Sequence, residues 1–555
     1  MAERYGKGDV ERVGRLWVLH LRGTSFERGL QHGTLMRYRV ADTFNFYRSL
    51  PETLLSRAME TGSVRARGLK RLKRSMVSRL VRNRDSEAVE EMHGLAVGLG
   101  LREDVLAEAL VLADVFQVFG ALAERRRKAG PPVLTGMGCT SAVRATASGL
   151  LFARNFDFWG PGYWDANPAL IFHHPDTGRA FCSIATAGFP TGGVTSINED
   201  GLAVAVHQHG SRDSSLSGTP IIDIAHSVIR KAGSVEEALG VLEGFRATGG
   251  WSLVLASGSP ADAAVVEMSS RGMAVRRLEG KVLAASNCFI DPGMAEREIQ
   301  ASTSATLSDH ARYRRALDLA STTRVTPSGI AGILGDHHDP FAEAERSAGL
   351  TISRITNVSS VLFSLPSGRF WVSESPAPTG KGGFVGFDLD AELSGGRSSI
   401  DRLEGARPPR ARTTAAQDRY LAAYKEYIDT GDLNRVLDIL AECSELDPRE
   451  ASFPFMEGVL RSMVGNLRGA GSSIDRALEL ERVPPKRAVI ELWRARVNDL
   501  DGDRGSSGPV YKSLAAEPDT PPLVRKAASR GVRHQFGTRD LGRLILDFTN
   551  AETFE

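Results

Sequence analysis

Short apolar runs separated by tight turns dominate the chain from about residue 139 to about residue 285. Two of these runs, at 194–198 and 202–207, flank the turn Glu199-Asp200-Gly201 and predict a hairpin. Further strands are predicted at 252–256, 263–268, 273–277 and 282–285. Helical periodicity lies between the two groups, at 222–231 and 235–245. Strands grouped apart from helices predict the α+β class, with stacked antiparallel sheets faced by helices.

The first block of the chain, to about residue 130, has a mainly helical pattern after an opening strand at 16–21. One predicted helix places Leu69, Leu72, Met76 and Leu80 at helical spacing, while Lys and Arg crowd its other faces. The favoured interpretation is a helix that packs on the core and exposes its basic side to water. Peripheral contact with an anionic membrane surface is the alternative.

The chain changes character twice after residue 376. A Gly/Pro/Ser-rich stretch through residue 412 predicts a linker. Beyond it a helical pattern repeats every 34 residues, the spacing of Gly431 from Gly465 and of Leu446 from Leu480. This period resembles tetratricopeptide (TPR) repeats, with a third, degenerate unit around 500–518. Such repeats predict a surface for a protein partner, and a plain helical bundle that braces the rest of the protein is the equal alternative.

Length and composition narrow the class of protein. A chain of 555 residues exceeds what one hydrophobic core serves, so two or more domains are expected. The net charge of +2 argues against nucleic acid or another polyanion as a dedicated partner. The first residues lack the pattern of a secretory signal, and no stretch reaches roughly eighteen unbroken apolar residues. We therefore expect a cytoplasmic protein.

The four cysteines are Cys139, Cys182, Cys288 and Cys443, and the absence of a Cys-x-x-Cys pair predicts free thiols. Only Cys139 has neighbours that suggest chemistry. Gly138-Cys139-Thr140-Ser141 is followed by Arg154-Asn155-Phe156-Asp157, and the turn residues 147–149 between them predict a hairpin. Pairing about Ser148 sets Cys139 opposite Asp157, to within about one residue of register.

A cut after Gly138 would make Cys139 N-terminal and would give its thiol a general base in the same residue. An α-amine has an ordinary pKa of about 8 and a thiol one of about 8.5, so both are close to neutrality. We expect Asp157 to hold the amine, Arg154 to favour the thiolate and Gly138 to supply a backbone that can strain into the geometry for attack. Residues 154 and 157 are an odd number apart, so a regular strand sends them to opposite faces. Either a bulge near Phe156 or a non-catalytic role for one of the two is therefore predicted.

These residues resemble the N-terminal nucleophile (Ntn) hydrolases, in particular the C45-type autoproteolytic acyltransferases related to isopenicillin N acyltransferase. The resemblance extends over residues 23–376 and includes, in the family's order, the hairpin 196–202, Ser286-Asn287 and the helix start 308–315. It implies a four-layer αββα sandwich, an oxyanion site built by Asn198 and Asn287, and Arg312 near the thiol. Many relatives have a histidine where Cys288 follows Asn287, a departure that bears on substrate contacts rather than on the nucleophile.

Together these patterns divide the chain into four parts. Residues 1–138 are predicted to be an N-terminal pro-segment packed on the sandwich, 139–380 the αββα Ntn-hydrolase core, 381–412 a linker, and 413–555 an α-helical TPR-like domain. The clusters Asp336-His337-His338-Asp339 and His207-Gln208-His209 lack a helical i, i+4 pair with a third ligand, so we interpret them as loop or surface histidines. We predict no metal and no cofactor.

The function implied is that of a self-processing cysteine Ntn hydrolase or acyltransferase, which acts on an N-acyl amide or acyl thioester through an acyl-Cys139 intermediate. A phospholipase B-like ester hydrolase with the same nucleophile is one alternative, distinguished by its action on phospholipid vesicles. A non-catalytic scaffold that acts through the helical repeats is another. The scaffold predicts that Cys139 variants keep full biological function and that truncation at about residue 408 abolishes it.

Overall fold

The structure is a computed structural model that describes residues 3–58, 63–125, 138–189, 192–396, 400–405 and 409–554. Within these ranges two large β-sheets form the centre of the protein. The strands of the ten-stranded sheet, in spatial order, are β1 (Glu3–Tyr5), β2 (Gly8–Val13), β3 (Leu16–Gly23), β6 (Pro168–Pro175), β7 (Phe181–Thr186), β8 (Thr195–Asn198), β9 (Leu202–His209), β10 (Gly250–Gly258), β11 (Ala261–Met268) and β12 (Met273–Arg277). The strands of the seven-stranded sheet are β13 (Val282–Ala285), β4 (Gly138–Thr146), β5 (Gly149–Asp157), β16 (Asn357–Leu365), β17 (Arg369–Ser373), β18 (Phe384–Asp388) and β19 (Ile400–Leu403).

The two sheets pack face to face through an apolar layer. Side chains of β4, β5 and β16, among them Val143, Phe152 and Phe363, meet side chains of β6 and β10 such as Phe172 and Val254. All five are at most 1% exposed. Alternation along each strand sends the other set of side chains outward, where each sheet needs a second cover.

Helices supply that cover on both sides. The helices of the N-terminal block and of the connection from β9 to β10 are α1 (Ser25–Met36), α2 (Ala41–Ala58), α3 (Ser63–Val81), α4 (Ser86–Leu99), α5 (Glu103–Leu110), α6 (Leu112–Arg125), α7 (Ile221–Lys231) and α8 (Val235–Glu243). Leu95 of α4 and Ile224 of α7 pack with Val204 and Leu253 on the outer face of the ten-stranded sheet. The other sheet is covered by α10 (Thr303–Thr322) and α11 (Pro327–Gly332), which follow the short α9 (Pro292–Ala295). The order of layers is αββα, which confirms the predicted fold class.

The N-terminal block is more deeply integrated than a segment packed on the sandwich. It contributes β1, β2 and β3, and β3 pairs in parallel with β6 inside the sheet. Leu19 and Leu21 of β3 are fully buried, so removal of this block would open the core. Two fragments produced by a cut before Cys139 would therefore stay joined by a β-ladder.

The prediction of a linker at 381–412 is wrong for most of the residues that the structure describes in this range. It contains β18 and β19, which complete the seven-stranded sheet, and the short α12 (Leu389–Leu393). The glycines that suggested a linker have a packing reason, because a side chain on Gly386 would collide with the indole of Trp371 and with Ile400. A strand that needs glycine at a close contact can have the same composition as a flexible segment, so composition alone did not distinguish the two.

The C-terminal region consists of helical hairpins, as predicted. They are formed by α13 (Ala411–Asp429) with α14 (Leu433–Leu446), α15 (Ser452–Met463) with α16 (Leu467–Leu480), and α17 (Pro484–Leu500) with α18 (Arg504–Ala516). Gly431, Gly465 and Gly502 occupy the turn of each hairpin with φ of 70°, 81° and 83°, a conformation that favours glycine. The chain ends with α19 (Pro522–Arg533), α20 (Thr538–Leu541) and a hairpin of β20 (Ile545–Asp547) and β21 (Glu552–Phe554).

A buried charge cluster joins the helical region to the sandwich. Arg346 follows the two-residue strands β14 (His338–Asp339) and β15 (Ala344–Glu345), and its guanidinium is paired with Glu450, Glu481 and Asp339. Glu450 and Glu481 follow the second helix of the first and second hairpins, respectively. Burial alone would raise the pKa of both glutamates, but the charge of Arg346 holds the two pKa values below the ordinary value of a glutamate. The helical region thus braces the sandwich, and a role in binding a protein partner stays a prediction.

The basic helix corresponds to α3, and its apolar face is narrower than predicted. Met76 and Leu80 are buried, but Leu72 is 42% exposed. Lys73, placed on the basic side, is buried and paired with Glu108. The side chain of Leu69 lies outside the described residues. Among the described helices none is by itself long and apolar enough to span a membrane, and one bent pair, α5 with α6, meets the length and composition criteria together.

We expect the substitution Arg346→Met to lower the free energy of unfolding by about 3–5 kcal/mol, because it removes the cation paired with three buried carboxylates and leaves only Lys486 near them. The measurement is chemical unfolding followed by circular dichroism. The matched control is Arg435→Met, which breaks the exposed ion pair with Glu426 and should cost less than about 1 kcal/mol. Equal losses for the two variants would contradict the bracing role of Arg346.

Candidate active site

The hairpin of β4 and β5 brings the predicted catalytic residues to one end of the seven-stranded sheet. Gly138 pairs with Asp157, Cys139 with Phe156 and Ser141 with Arg154. The predicted register, with Cys139 opposite Asp157, is off by one residue because Thr146 pairs with Gly149 and leaves a two-residue turn. Thr146 stabilises that turn by accepting a 3.1 Å hydrogen bond from the amide of Ser148 through its hydroxyl.

Arg154 and Asp157 lie on opposite faces of β5. Arg154 shares the face of Ser141 and Cys139, and its Nη2 lies 3.4 Å from the Sγ of Cys139. No bulge occurs in β5 itself, since the register shift is in the neighbouring β16, between Asn357 and Ser359. Asp157 therefore points away from the thiol, and it accepts hydrogen bonds from Asn357 and from Nη1 of Arg354.

The thiol of Cys139 is fully buried. Its Sγ lies 3.4 Å from the carbonyl oxygen of Val206 in β9, to which Arg154 also donates at 2.7 Å. Burial raises the pKa of this thiol above its ordinary value, whereas the charges of Arg154 and Arg312 act in the opposite direction. In the intact chain the sulfur is thus a protonated thiol beside a permanent cation.

Asn287 and Arg312 hold the backbone of Cys139. Asn287 follows β13, which pairs with β4 as far as Ala285 opposite Ser141, so the next residues reach the nucleophile. The backbone N–H of Cys139 donates to Oδ1 of Asn287 at 2.7 Å, and Nη2 of Arg312 donates to the same oxygen at 3.0 Å. Arg312, on α10, also donates to the Cys139 carbonyl and to the hydroxyl of Thr140. The contact that we predicted for Asp157, with the nitrogen of Cys139, is made by Asn287.

Asn198 has a different environment from Asn287. Its amide nitrogen donates to the carbonyls of Ile229 and Ala232 at the end of α7, and its oxygen accepts from the amide of Leu202. Both amide protons are therefore used to fasten the β8–β9 hairpin to a helix. The side-chain amide of Asn198 is thus engaged in structural hydrogen bonds, and its part in an oxyanion site stays a prediction.

Gly138 is extended within β4, so the predicted backbone strain is not the reason for glycine at this position. Space is the reason. A Cβ atom on Gly138 would collide with the guanidinium of Arg354 and with the carboxylate of Asp157. The Arg354–Asp157 ion pair, at 3.3 Å, thus lies directly against the residue that precedes Cys139.

A small cavity adjoins this site. It holds about 40 Å³, enough for a few water molecules, and Asn287, Cys288, Glu298, Arg354 and Asn550 are among its lining residues. Glu298 faces it with a pKa raised by burial to about 8. Cys139 is not in the lining, but Asn287 is, and a single hydrogen bond joins it to Cys139. Cys139 is therefore one side chain away from the cavity.

The prediction of loop or surface histidines is wrong for His207 and His209, which are buried in β9. His207, His209 and His337 bond to protein groups. The Nε2 of His207 lies 2.8 Å from the hydroxyl of Ser141, and that of His209 lies 2.7 Å from the hydroxyl of Ser252. His337 bonds to the carbonyl of Arg346. Among the residues that the structure describes, no three His, Cys, Asp or Glu side chains are grouped as metal ligands would be.

Three polar residues at the site were not predicted. Arg354 and Asn357 hold Asp157, and Asn550 reaches the cavity from the end of the chain. Arg354 and Asn357 flank the start of β16, where polar residues are common, and Asn550 lies in a turn. The sequence around them carries no signal that separates them from ordinary strand-end and turn residues.

Comparison with known proteins agrees with this architecture. Residues 144–374 match the family described as acyl-coenzyme A:6-aminopenicillanic acid acyl-transferase, which confirms the predicted resemblance. The matched segment includes Arg154, Asp157, Asn287 and Arg312 and begins just after Cys139. The matched segment lies within the αββα core.

Two individual proteins are also similar to this chain. An uncharacterised protein of Archaeoglobus fulgidus is 26% identical over 300 residues, which is 50% of this chain and 48% of that protein. The chain thus spans about half the length of this curated relative. A variant of conjugated bile acid hydrolase from Clostridium perfringens is 15% identical, with a TM-score of 0.32 over 49% of this chain and 100% of its own.

We expect Arg154→Gln to raise the pKa of the Cys139 thiol further, because it removes a cation that lies 3.4 Å from the sulfur. The pH dependence of alkylation at Cys139, followed by peptide mass mapping, should then move to higher pH. Arg179→Gln, which alters an exposed ion pair with Asp200, is the control and should leave the profile in place. An unchanged profile for the Arg154 variant would show that its charge does not act on the sulfur.

Proposed function

We propose that this protein is a self-processing cysteine Ntn hydrolase or acyltransferase. It cleaves its own chain between Gly138 and Cys139 and then transfers the acyl group of an N-acyl amide or acyl thioester through Cys139. One observation carries the proposal: the nitrogen and the sulfur of Cys139 each have a dedicated partner, Asn287 on the nitrogen and Arg154 on the sulfur. A structural cysteine in a core needs neither.

In the first step the sulfur of Cys139 attacks the carbonyl carbon of Gly138. A C–S bond forms, the peptide C–N bond breaks, and the proton of the thiol passes to the nitrogen that becomes the free amine. Water then hydrolyses the thioester, which leaves a carboxylate on Gly138 and restores the thiol. Arg154 supports the step because its positive charge favours the developing thiolate.

After cleavage the new amine occupies the position of the Cys139 nitrogen. There Oδ1 of Asn287 accepts a hydrogen bond from it and orients its lone pair, and Arg312 fixes the asparagine from the other side. The amine takes the proton of the thiol and returns it to the leaving group of the substrate. An amine has an ordinary pKa of about 8, which suits both transfers near neutral pH.

The oxyanion that forms on the substrate carbonyl needs a donor aimed at it. Asn287 lines the cavity and spends one amide proton on the carbonyl of Gln208, at 2.7 Å. We assign its second amide proton to the oxyanion. Asn198, which resemblance to the family suggested as the partner donor, has both side-chain amide protons bonded to carbonyls, so its side chain does not supply the second donor.

The proposal is tested by the mass of the purified chain. Wild type should separate under denaturing conditions into residues 1–138 and residues 139–555, and Cys139→Ala should remain one chain. Cys288→Ala is the matched control, because Cys288 is the buried cysteine that lines the cavity, and it should be cut like wild type. A wild-type chain that stays intact would contradict the proposal, as would a Cys139→Ala chain that is cut.

Substitution should separate the two roles of Asn287, which are to accept a hydrogen bond from the amine and to donate one to the oxyanion. Asn287→Leu removes both acceptor and donor, and we expect amide hydrolysis to fall by about 10²–10³-fold or more. Asn287→Asp keeps an oxygen for the amine but loses the donor, so the amine stays anchored while kcat falls. The measurement is steady-state hydrolysis of a panel of N-acyl amides, and an Asn287→Leu variant with wild-type kcat would remove Asn287 from the mechanism.

A further inference from the structure

The C-terminal hairpin returns to the candidate active site from the far end of the chain. Its two strands are β20 and β21, and Asn550 in the turn between them lines the same cavity as Asn287. This hairpin lies well beyond residues 144–374, the segment that matches the acyl-transferase family. The site thus includes a residue that the related core does not supply.

Hydrogen bonds connect Asn550 to the residue before the nucleophile. Its Oδ1 accepts from Nη2 of Arg354 at 2.9 Å, and its Nδ2 donates to Asp547 at 2.6 Å. The other end of the Arg354 guanidinium, Nη1, lies 3.3 Å from Asp157. Arg354 and Asp157 in turn lie so close to Gly138 that a Cβ atom there would displace their charged groups. The path from the hairpin to the predicted cleavage site therefore runs through two side chains, those of Asn550 and Arg354.

Burial makes each of these contacts matter. Asn550 is 2% exposed, Asp157 is fully buried and Arg354 is 5% exposed. Arg354 also lies near Arg312, so its charge needs acceptors on the side away from that arginine. Asp157 and Asn550 provide them. Loss of the Asn550 amide would leave part of a buried guanidinium unpaired beside the cavity, and the guanidinium would move.

The hairpin itself is held by both halves of the protein. The hydroxyl of Tyr420 on α13 donates to the carbonyl of Phe548 at 2.8 Å, and the indole of Trp493 on α17 lies 3.3 Å from the hydroxyl of Thr553. On the other side Glu552 accepts a hydrogen bond from the amide of Ser304, in the first turn of α10. The same helix carries Arg312. The hairpin thus docks only where the helical region and the sandwich meet.

We propose that Asn550 and Arg354 are positioning residues, which hold Asp157 and the backbone of Gly138 in the geometry for cleavage. This inference rests on the proposed function. It makes the helical region an obligate part of the active site, and it means that the chain is cut only after residues 545–554 have been made and have docked. Truncation at about residue 408 would remove Asn550 as well, so loss of function on truncation does not identify a scaffold.

The test follows cleavage of the full-length chain in a cell-free translation reaction stopped at intervals. Asn550→Ala should slow cleavage by about tenfold or more, since it removes a hydrogen bond to a charged group. The double variant Asp547→Asn with Asn550→Asp exchanges the amide and the carboxylate while keeping an acceptor for Arg354 and a donor between the two positions. It should restore the rate to within about threefold of wild type, a factor that corresponds to a small barrier change.

Two controls separate positioning from stability. Ile474→Ala removes a buried side chain of α16 and should lower the unfolding midpoint without slowing cleavage below that midpoint. Asn434→Ala changes an exposed asparagine of α14 and should have no effect.

Each outcome bears on one claim. If wild type is cut and Asn550→Ala is cut at the same rate, the positioning role is overturned and the proposed function is left intact. Equal slowing by Ile474→Ala would show that only stability matters, and an exchange variant as slow as Asn550→Ala would contradict the assigned hydrogen bonds. An uncut wild type would overturn the proposed function and this inference together.

Discussion

The amide of Asn287 is the contact on which the candidate site depends. It accepts from the backbone N–H of Cys139, is held in place by Arg312 and lines the cavity. Three elements meet at this one side chain: β4 carries Cys139, β13 leads into Asn287, and α10 carries Arg312. The αββα arrangement matters for function because only the packing of α10 on the outer face of the seven-stranded sheet brings Arg312 to the end of β4.

Burial explains why the thiol of Cys139 is neutral in the intact chain. Burial favours the neutral thiol, while Arg154 and Arg312 favour the thiolate, and burial prevails. Under the proposed cleavage an amine forms in the same residue, and a base then lies beside the sulfur without any movement of the fold. The arginines are themselves buried and are kept in place by carboxylates and carbonyls, so the site is an array of alternating charges around one cysteine.

Local signals allowed much of the fold to be predicted. The hairpin of β4 and β5, the strands from β10 to β13 and the 34-residue helical period follow from turn residues and apolar spacing, and the structure confirms them. The features that the sequence did not reveal depend on tertiary contacts. Gly386 belongs to a strand because Trp371 needs its space, Asn198 fastens a hairpin to α7, and Asn550 meets Arg354 across nearly two hundred residues. No pattern within one segment encodes such pairs.

The most direct test of the central claim is to trap the acyl group. A purified sample is mixed with an activated acyl donor, quenched in acid within seconds and digested, and the thioester is located by peptide mass mapping and by its loss on treatment with hydroxylamine. We expect acylation of Cys139. Cys182, Cys288 and Cys443 should stay unmodified, because burial keeps them as neutral thiols without a base. An acyl group on Cys288, or on no cysteine while substrate is consumed, would contradict that claim.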